Sequence, residues 1–285
     1  MLYVLVNPLA SNGKAEEKVT DAVKNFNCGD FKQLSLIDLN VKELIESTTA
    51  EDNIVILGGD GTLNRFANDT ADMEFNCPIY LYKSGTGNDF MKDVEDKVEN
   101  DMVKINDYLK NLPTITVKGK SYRFVNGIGY GIDGMCCEVA DKMKAEGKQN
   151  INYAGISIKL LIHGYKCPNA KITVDGKVYN FKKVWLASGM KGRYYGGGMA
   201  IAPEQDRTSG KLTSAVIHNS GKLKTLLVFP KIFKGEHVKH KKIFTAIEGR
   251  KITVEFSHPM ALQIDGETVL GVTSYTIKSP VKVKV

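Results

Sequence analysis

Gly58-Gly59-Asp60-Gly61-Thr62 stands directly after the apolar run Ile54-Val55-Ile56-Leu57. Four β-prone residues ending in glycines predict a buried strand that runs into a phosphate-sized turn. Glycine lacks Cβ, so the backbone there can bend sharply and bring its N–H groups close to an anion. A carboxylate among such amides repels a phosphate unless a cation sits between them, so Asp60 suggests Mg²⁺ together with a nucleotide. A plain strand-to-helix turn uses the same residue types. Ser84-Gly85-Thr86-Gly87-Asn88-Asp89-Phe90 offers the same chemistry, with glycines, hydroxyls and a second carboxylate after the apolar segment 79–82. Asn7-Pro8-Leu9-Ala10-Ser11-Asn12-Gly13-Lys14 is a third polar loop, opening a helical stretch whose N-terminus favours anions. One such loop is weak; three at one edge of a sheet are hard to explain as turns alone.

The elements that must position these loops alternate in the first third of the chain. Strand-like runs at 2–6, 31–37, 53–57 and 79–82 are spaced by helical patterns at 15–25 and 41–47, with further helices opening near Leu63 and after Asp89. This alternation predicts a parallel sheet covered on both faces, with ligands at the carboxyl ends of its strands, where the three loops lie. From about Leu112 short β-like runs take over, at 114–117, 122–125, 171–174, 183–187, 212–218, 252–256, 261–264 and 275–285. One helical interval, 138–163, interrupts them. Asp175-Gly176 and Asp265-Gly266 each separate two such runs, a strong hairpin signal, and Asn219-Ser220-Gly221 is a further turn. The fold class is therefore α/β: a parallel-sheet nucleotide-binding domain over 1–112, then an antiparallel β-rich domain over 113–285, whose last strand could pack back on the first domain.

Composition narrows the setting. Of the 285 residues, 42% are hydrophobic and 25% charged, the profile of a soluble globular protein with a real core. No segment approaches the roughly 20 apolar residues that cross a bilayer. The start, Met1 to Pro8, lacks the basic region of a signal peptide and reads as a first core strand. Five cysteines (Cys28, Cys77, Cys136, Cys137, Cys167) form no C-x-x-C pair and no metal-ligand spacing with histidine. They read as small buried hydrophobes in a reducing, cytoplasmic setting. The net charge of +7 is concentrated. Lys222, Lys224, Lys231, Lys234, Lys239, Lys241 and Lys242 surround Leu226-Leu227-Val228-Phe229-Pro230 and Ile232-Phe233. That mixture suits peripheral binding to an anionic membrane surface, and equally a solvated lysine-rich face. No nucleic-acid-binding pattern accompanies the charge.

Taken in order, Asn7-Pro8, then 58–64 with Leu63-Asn64 closing it, then Gly85 to Phe90, resemble the diacylglycerol kinase catalytic-domain family, which includes bacterial soluble lipid kinases and the sphingosine and ceramide kinases. The match continues through Gly129-Tyr130-Gly131-Ile132-Asp133, 193–199, Ala202-Pro203 and Asp265-Gly266-Glu267, so it spans nearly the whole chain. The resemblance implies an ATP site in the crevice between a nucleotide-binding and a β-rich lipid-binding domain. It implies ATP contacts from Asn7, Pro8, Leu9, Ala10, Ser11, Gly59, Gly61, Thr62, Leu63, Asn64 and Thr86. Asp60, Asp89 and Asp133 would hold Mg²⁺ through ordered water, and Glu267 would be the general base, so that Asp60 and Glu267 carry the catalysis. The chemistry asks for such parts independently: phosphoryl transfer needs charge neutralisation and a residue that positions and deprotonates the alcohol.

Other readings stay open at individual positions. Glu267 also reads as the residue after a hairpin turn, and Asp133 as a loop-capping carboxylate. Gly196-Gly197-Gly198 reads best as tight packing, with Arg193, Tyr194 and Tyr195 placed to border the site, and 153–161 as core, lipid groove or both. Three positions depart from the family pattern: Arg65 where Glu is usual, Lys191 where Asn is common, and Ser209 where Asp precedes Gly. Arg65 reverses a charge beside the expected nucleotide, and Ser209 bears on a structural metal of some bacterial members. The expected function is a lipid kinase acting on a lipid hydroxyl, diacylglycerol first, at a membrane surface, with a homodimer left open. Alternatives are a kinase acting on NAD, which shares the Gly-Gly-Asp-Gly-Thr loop, and a degenerate nucleotide- or lipid-binding module.

Overall fold

The computed structural model describes residues 1–8, 16–26, 30–84, 88–148 and 151–280. Its chain forms two compact units, Met1–Leu112 and Pro113–Val285.

The first unit is a five-stranded sheet in the order β2-β1-β3-β4-β5. Strands β1 (Leu2–Val6), β2 (Phe31–Ser35), β3 (Asn53–Gly58) and β4 (Ile79–Lys83) are parallel, and β5 (Met102–Lys104) closes the edge antiparallel to β4. Ile54 to Leu57 are fully buried on both faces, as a central parallel strand requires. Helices α1 (Val19–Lys24), α2 (Val41–Ser47), α3 (Asp60–Asp69), α4 (Asp89–Asp93) and α5 (Asn106–Lys110) connect the strands, with a 3₁₀ turn at Glu16–Lys18 leading into α1. Because β1, β3 and β4 run parallel, Asn7, Gly59 and Ser84 leave the sheet at the same edge. Helix α3 begins at Asp60, three residues before the expected Leu63. Gly59 takes the extended N-cap geometry (φ −101°, ψ −164°), and an acidic residue in the first turn suits the helix dipole.

The second unit is an antiparallel ten-stranded sheet. Its path runs β13 (Phe244–Gly249), β12 (Leu212–Ile217), β11 (Leu186–Met190), β8 (Gly127–Tyr130), β14 (Lys251–Ile264), β15 (Glu267–Lys278), β6 (Thr114–Val117) and β7 (Lys120–Arg123), with β9 (Ala170–Val174) and β10 (Lys177–Phe181) branching from β14. Strand β14 joins the two expected runs 252–256 and 261–264 into one, paired first with β9 and then with β8, with irregular register between Glu255 and Leu262. Both Asp-Gly pairs close hairpins, β9–β10 and β14–β15, and Asp265 and Gly266 have φ of 45° and 101°, the mirror-image turn that matches strand twist.

The expected helical interval is two helices, α6 (Ile132–Ala145) and α7 (Tyr153–Ile162), and α6 starts earlier than periodicity suggests. β15 likewise starts at Glu267 rather than Tyr275, and β11 begins at Leu186, the backbone before it bonding Pro168 and Ile217 instead. A further helix, α8 (Lys222–Val228), continues into 3₁₀ turns at Phe229–Lys234 and Glu236–Lys239. An α/β parallel-sheet unit followed by a β-rich antiparallel unit is the expected fold class.

Candidate active site

In the first unit the sheet edge brings two of the predicted loops together. Asn7 Nδ2 donates to Thr62 Oγ1 at 3.1 Å. A Cβ on Gly58 would lie 2.4 Å from Thr62 Cβ, so glycine at that position is what lets the first turn of α3 fold back over its own strand. The Asp60 carboxylate reaches across to the end of the loop that opens at Ser84: Oδ2 accepts from Asp89 N at 2.8 Å and Oδ1 from Phe90 N at 2.9 Å. Asp89 is 5% exposed and Phe90 is buried, its ring edge-on to Tyr108. Asp60 therefore caps the start of α4, a role that spacing does not reveal because its partners lie 29 and 30 residues on. Gly61 opens on free space, Leu63 is buried in the core, and Asn64 holds Asn68 through its carbonyl and side-chain oxygens. Pro8 follows Asn7 at the end of the described segment; Leu9, Ala10, Ser11 and Thr86 lie outside the described residues. Arg65 points along the exposed side of α3 to an ion pair with Asp69 at 3.6 Å, one helical turn on.

Among the described residues, no three Asp, Glu, His or Cys side chains converge as a metal cage. Mg²⁺ does not require one, since it keeps waters and is held by one or two carboxylates together with substrate phosphates. Each Asp60 oxygen accepts one of the two amide N–H groups, and a carboxylate oxygen can accept more than one bond. Carboxylates such as those of Asp60 and Asp89 are the ligand type that a hydrated Mg²⁺ takes.

Asp133 and Glu267 belong to the second unit. Asp133 sits in the first turn of α6, half-buried, where Gln263 Nε2 donates to its Oδ2 at 2.9 Å and the Tyr195 hydroxyl is a second partner. Burial pushes its carboxyl up to about 6, against the downward pull of those two hydrogen bonds. Tyr195, itself held neutral by burial, also bonds Ser188 Oγ at 2.7 Å. Glu267 is exposed at the first position of β15, immediately after the Asp265-Gly266 turn. Asp265 fixes that turn by accepting the backbone N–H groups of Val125, Asn126 and Gly127.

Beside Asp133 lies an apolar cavity of about 40 Å³, bounded among others by Trp185, Tyr195, Met199, Phe229 and Ile232. Asp133, Ser157 and Thr225 bring polar side chains to its wall. The sequence points to this lining at Asp133, Tyr195 and the 153–161 stretch and names Phe229 and Ile232 only within the lysine-rich segment, whereas Trp185 and Ile243 carry no motif. Helix α8 forms part of the wall through Thr225 and Val228, while Leu223 and Leu227 on its other face are 73% and 67% exposed.

Lys191 is buried rather than surface-placed, and the Ser209 hydroxyl bonds the Asp206 carbonyl and the Lys211 N–H, closing its own turn. Cys77, Cys136, Cys137 and Cys167 are free thiols, and burial raises all four. Among the described residues no helix is long and apolar enough to cross a membrane.

Comparison with known proteins agrees with this architecture. The family model for the diacylglycerol kinase catalytic domain matches residues 1–118, and that for the YegS C-terminal NAD kinase beta sandwich-like domain matches 126–285. A diacylglycerol kinase of Mycobacterium tuberculosis (strain ATCC 25618 / H37Rv) is 23% identical over 254 residues, covering 85% of this chain and 81% of that protein. The crystal structure of a diacylglycerol kinase from Bacillus anthracis str. Sterne superposes with a TM-score of 0.67 at 22% identity, over 98% of this chain and 93% of that one. At that identity the likeness speaks for the fold. With both domain models matched in order, the chain belongs to the diacylglycerol kinase-like family of lipid kinases.

Proposed function

We propose that this protein transfers the γ-phosphate of ATP to a lipid hydroxyl, with diacylglycerol as acceptor and phosphatidic acid as product. The observation that carries the reading is the apolar cavity with the half-buried Asp133 carboxylate in its wall. Such a lining suits a lipid whose acyl chain lies against apolar side chains and whose head-group hydroxyl meets the polar wall. A dinucleotide acceptor such as NAD would bring sugar hydroxyls and phosphates against Trp185, Phe229 and Ile232, which cannot pair them.

In this reading the sheet edge of the first unit binds ATP through Asn7 to Ser11, Gly59 to Asn64 and Thr86. Asp60 and Asp89 would hold Mg²⁺ through water, the ion would supply charge neutralisation on the phosphates, and Asp133 is the third carboxylate that the family resemblance implies for it. Glu267 takes the proton from the lipid hydroxyl as its oxygen bonds to the γ-phosphorus and ADP leaves.

The cavity has space for only a few waters, so an acyl chain enters when its wall moves. The α8 segment is suited to that movement at a membrane. Its inner residues close the cavity, while Leu223, Leu227 and the flanking lysines face outward as an apolar and cationic surface matched to an anionic bilayer.

The test is transfer from γ-labelled ATP, with Mg²⁺, to a panel of lipids in mixed micelles, with NAD as control acceptor. Labelled phosphatidic acid alone is expected. Label on NAD alone, or on no acceptor despite ATP binding, would overturn the reading.

A further inference from the structure

One side chain ties the cavity carboxylate to the turn that carries Glu267. Gln263, on β14, is 3% exposed. Its Nε2 donates to Asp133 Oδ2 at 2.9 Å, and its Oε1 accepts the Gly266 N–H at 2.7 Å. The amide thus spends a donor on one element and an acceptor on another. Leucine has neither, and glutamate has only acceptors.

The surroundings are shaped to this pairing. Gly129 pairs with Gln263 across β8 and β14. A Cβ on Gly129 would fall 1.6 Å from Asp133 Oδ2 and 2.7 Å from Gln263 Nε2, so the bare α-carbon is the space in which carboxylate and amide meet. A second tie binds the same two elements further along: Thr268 Oγ1, next to Glu267, donates to Asp141 Oδ2 on α6 at 2.6 Å. Helix α6 and the β14–β15 hairpin are therefore latched at Asp133 and at Asp141, and Gln263 is the latch nearest the proposed chemistry.

We propose that Gln263 is a positioning residue for phosphoryl transfer: it holds the Asp133 carboxylate and the Gly266–Glu267 turn in one fixed arrangement. The proposal rests on the kinase reading of the same site. Its physical basis is that groups aligned for reaction tolerate little displacement, and a shift of 1 Å can cost about 100-fold in rate.

The test uses Q263L, Q263E, D133N and D133N/Q263E, each as the full chain at pH 7.5, with thermal unfolding and steady-state kinetics. Q263E keeps an acceptor for the Gly266 N–H but sets a carboxylate against Asp133, whereas in D133N/Q263E amide and carboxylate have exchanged places. Q263E is expected to melt lower than wild type, and D133N/Q263E higher than Q263E, which is the signature of direct coupling. Q263L and Q263E are expected to lose kcat by roughly 10- to 100-fold with the ATP KM changed less than about twofold. A purely structural residue would instead shift melting alone, so wild-type kcat in folded Q263L overturns the proposal. A double variant no more stable than Q263E overturns it as well. Should the wild type phosphorylate no lipid, the kinase reading falls first, and the melting cycle still decides whether the latch exists.

Discussion

Asp60 is the residue on which two accounts of the first unit diverge most. If the carboxylate organises the site by capping α4, removing it must cost stability before any nucleotide is added. Asp60→Ala deletes two hydrogen bonds from a charged acceptor, at 2.8 and 2.9 Å, to the amides of buried Asp89 and Phe90. Bonds to charged groups contribute about 1.5–3 kcal/mol each. Asp60 itself is half-buried, so water can partly replace it, and the lower half of the range applies: about 3–4.5 kcal/mol in total. Asp60→Asn keeps one acceptor oxygen and turns an N–H toward the other amide, so roughly half that loss, about 1.5–2 kcal/mol, is expected. A native stability of about 5–15 kcal/mol leaves both variants folded. Urea unfolding followed by far-UV circular dichroism measures the effect, and the single tryptophan, Trp185, separately reports the second unit. The expected order is wild type, then Asp60→Asn, then Asp60→Ala, with the loss in the circular dichroism transition and ATP affinity falling in the same order. Unchanged urea midpoints in both variants would refute the capping argument. Unchanged midpoints with lost Mg²⁺ dependence of ATP binding would show a metal ligand and nothing more.

Two other expectations follow from the second unit. His237 is buried, donates Nε2 to the Ile201 carbonyl, and is held down at about 4 by desolvation. Its folded value lies below the unfolded 6.5, so the unfolded chain takes up the proton first and stability is lost as pH falls from about 6.5 toward 4. Between pH 7.5 and 5 the loss from this group is about 2 kcal/mol, and His237→Gln should show a pH dependence smaller by that amount in urea unfolding; an identical dependence would contradict the assignment. Replacing Leu223 and Leu227 together by serine should weaken binding to vesicles rich in anionic lipid at least tenfold, since burying a leucine is worth about 1.5–3 kcal/mol and tenfold is about 1.4 kcal/mol. Equal partitioning of variant and wild type would remove α8 from the membrane surface.

Much of the fold was legible because its signals are local. Ile54 to Leu57 and Leu2 to Val6 read as buried parallel strands from residue type alone, and both Asp-Gly turns fixed their hairpins. Strand β8 was not legible: Gly127-Ile128-Gly129-Tyr130 carries two glycines, which in a sequence speak for a loop. In the fold, Gly129 is bare because a carboxylate and an amide occupy the space of its side chain. The start of α6 was hidden likewise, since Gly131 as N-cap interrupts the helical pattern. Helix α8 was visible only as a mixture of lysine and leucine; which face was apolar inward and which outward depended on the cavity it covers. The motif residues of the site were readable as types, while their partners were not. Asp60 meets amides 29 and 30 residues away, and Asp133 meets Gln263 at a separation of 130, distances at which pairing is decided by topology.

In the proposed reaction Glu267 deprotonates a lipid hydroxyl for attack on ATP. The most direct measurement compares wild type with Glu267→Gln in transfer from γ-labelled ATP to diacylglycerol micelles, with ATP binding and melting recorded on the same samples. Loss of a general base predicts a fall in kcat of about 10²- to 10⁴-fold with ATP binding and melting unchanged, because Glu267 is exposed at the strand end. Wild-type turnover by Glu267→Gln would contradict the account.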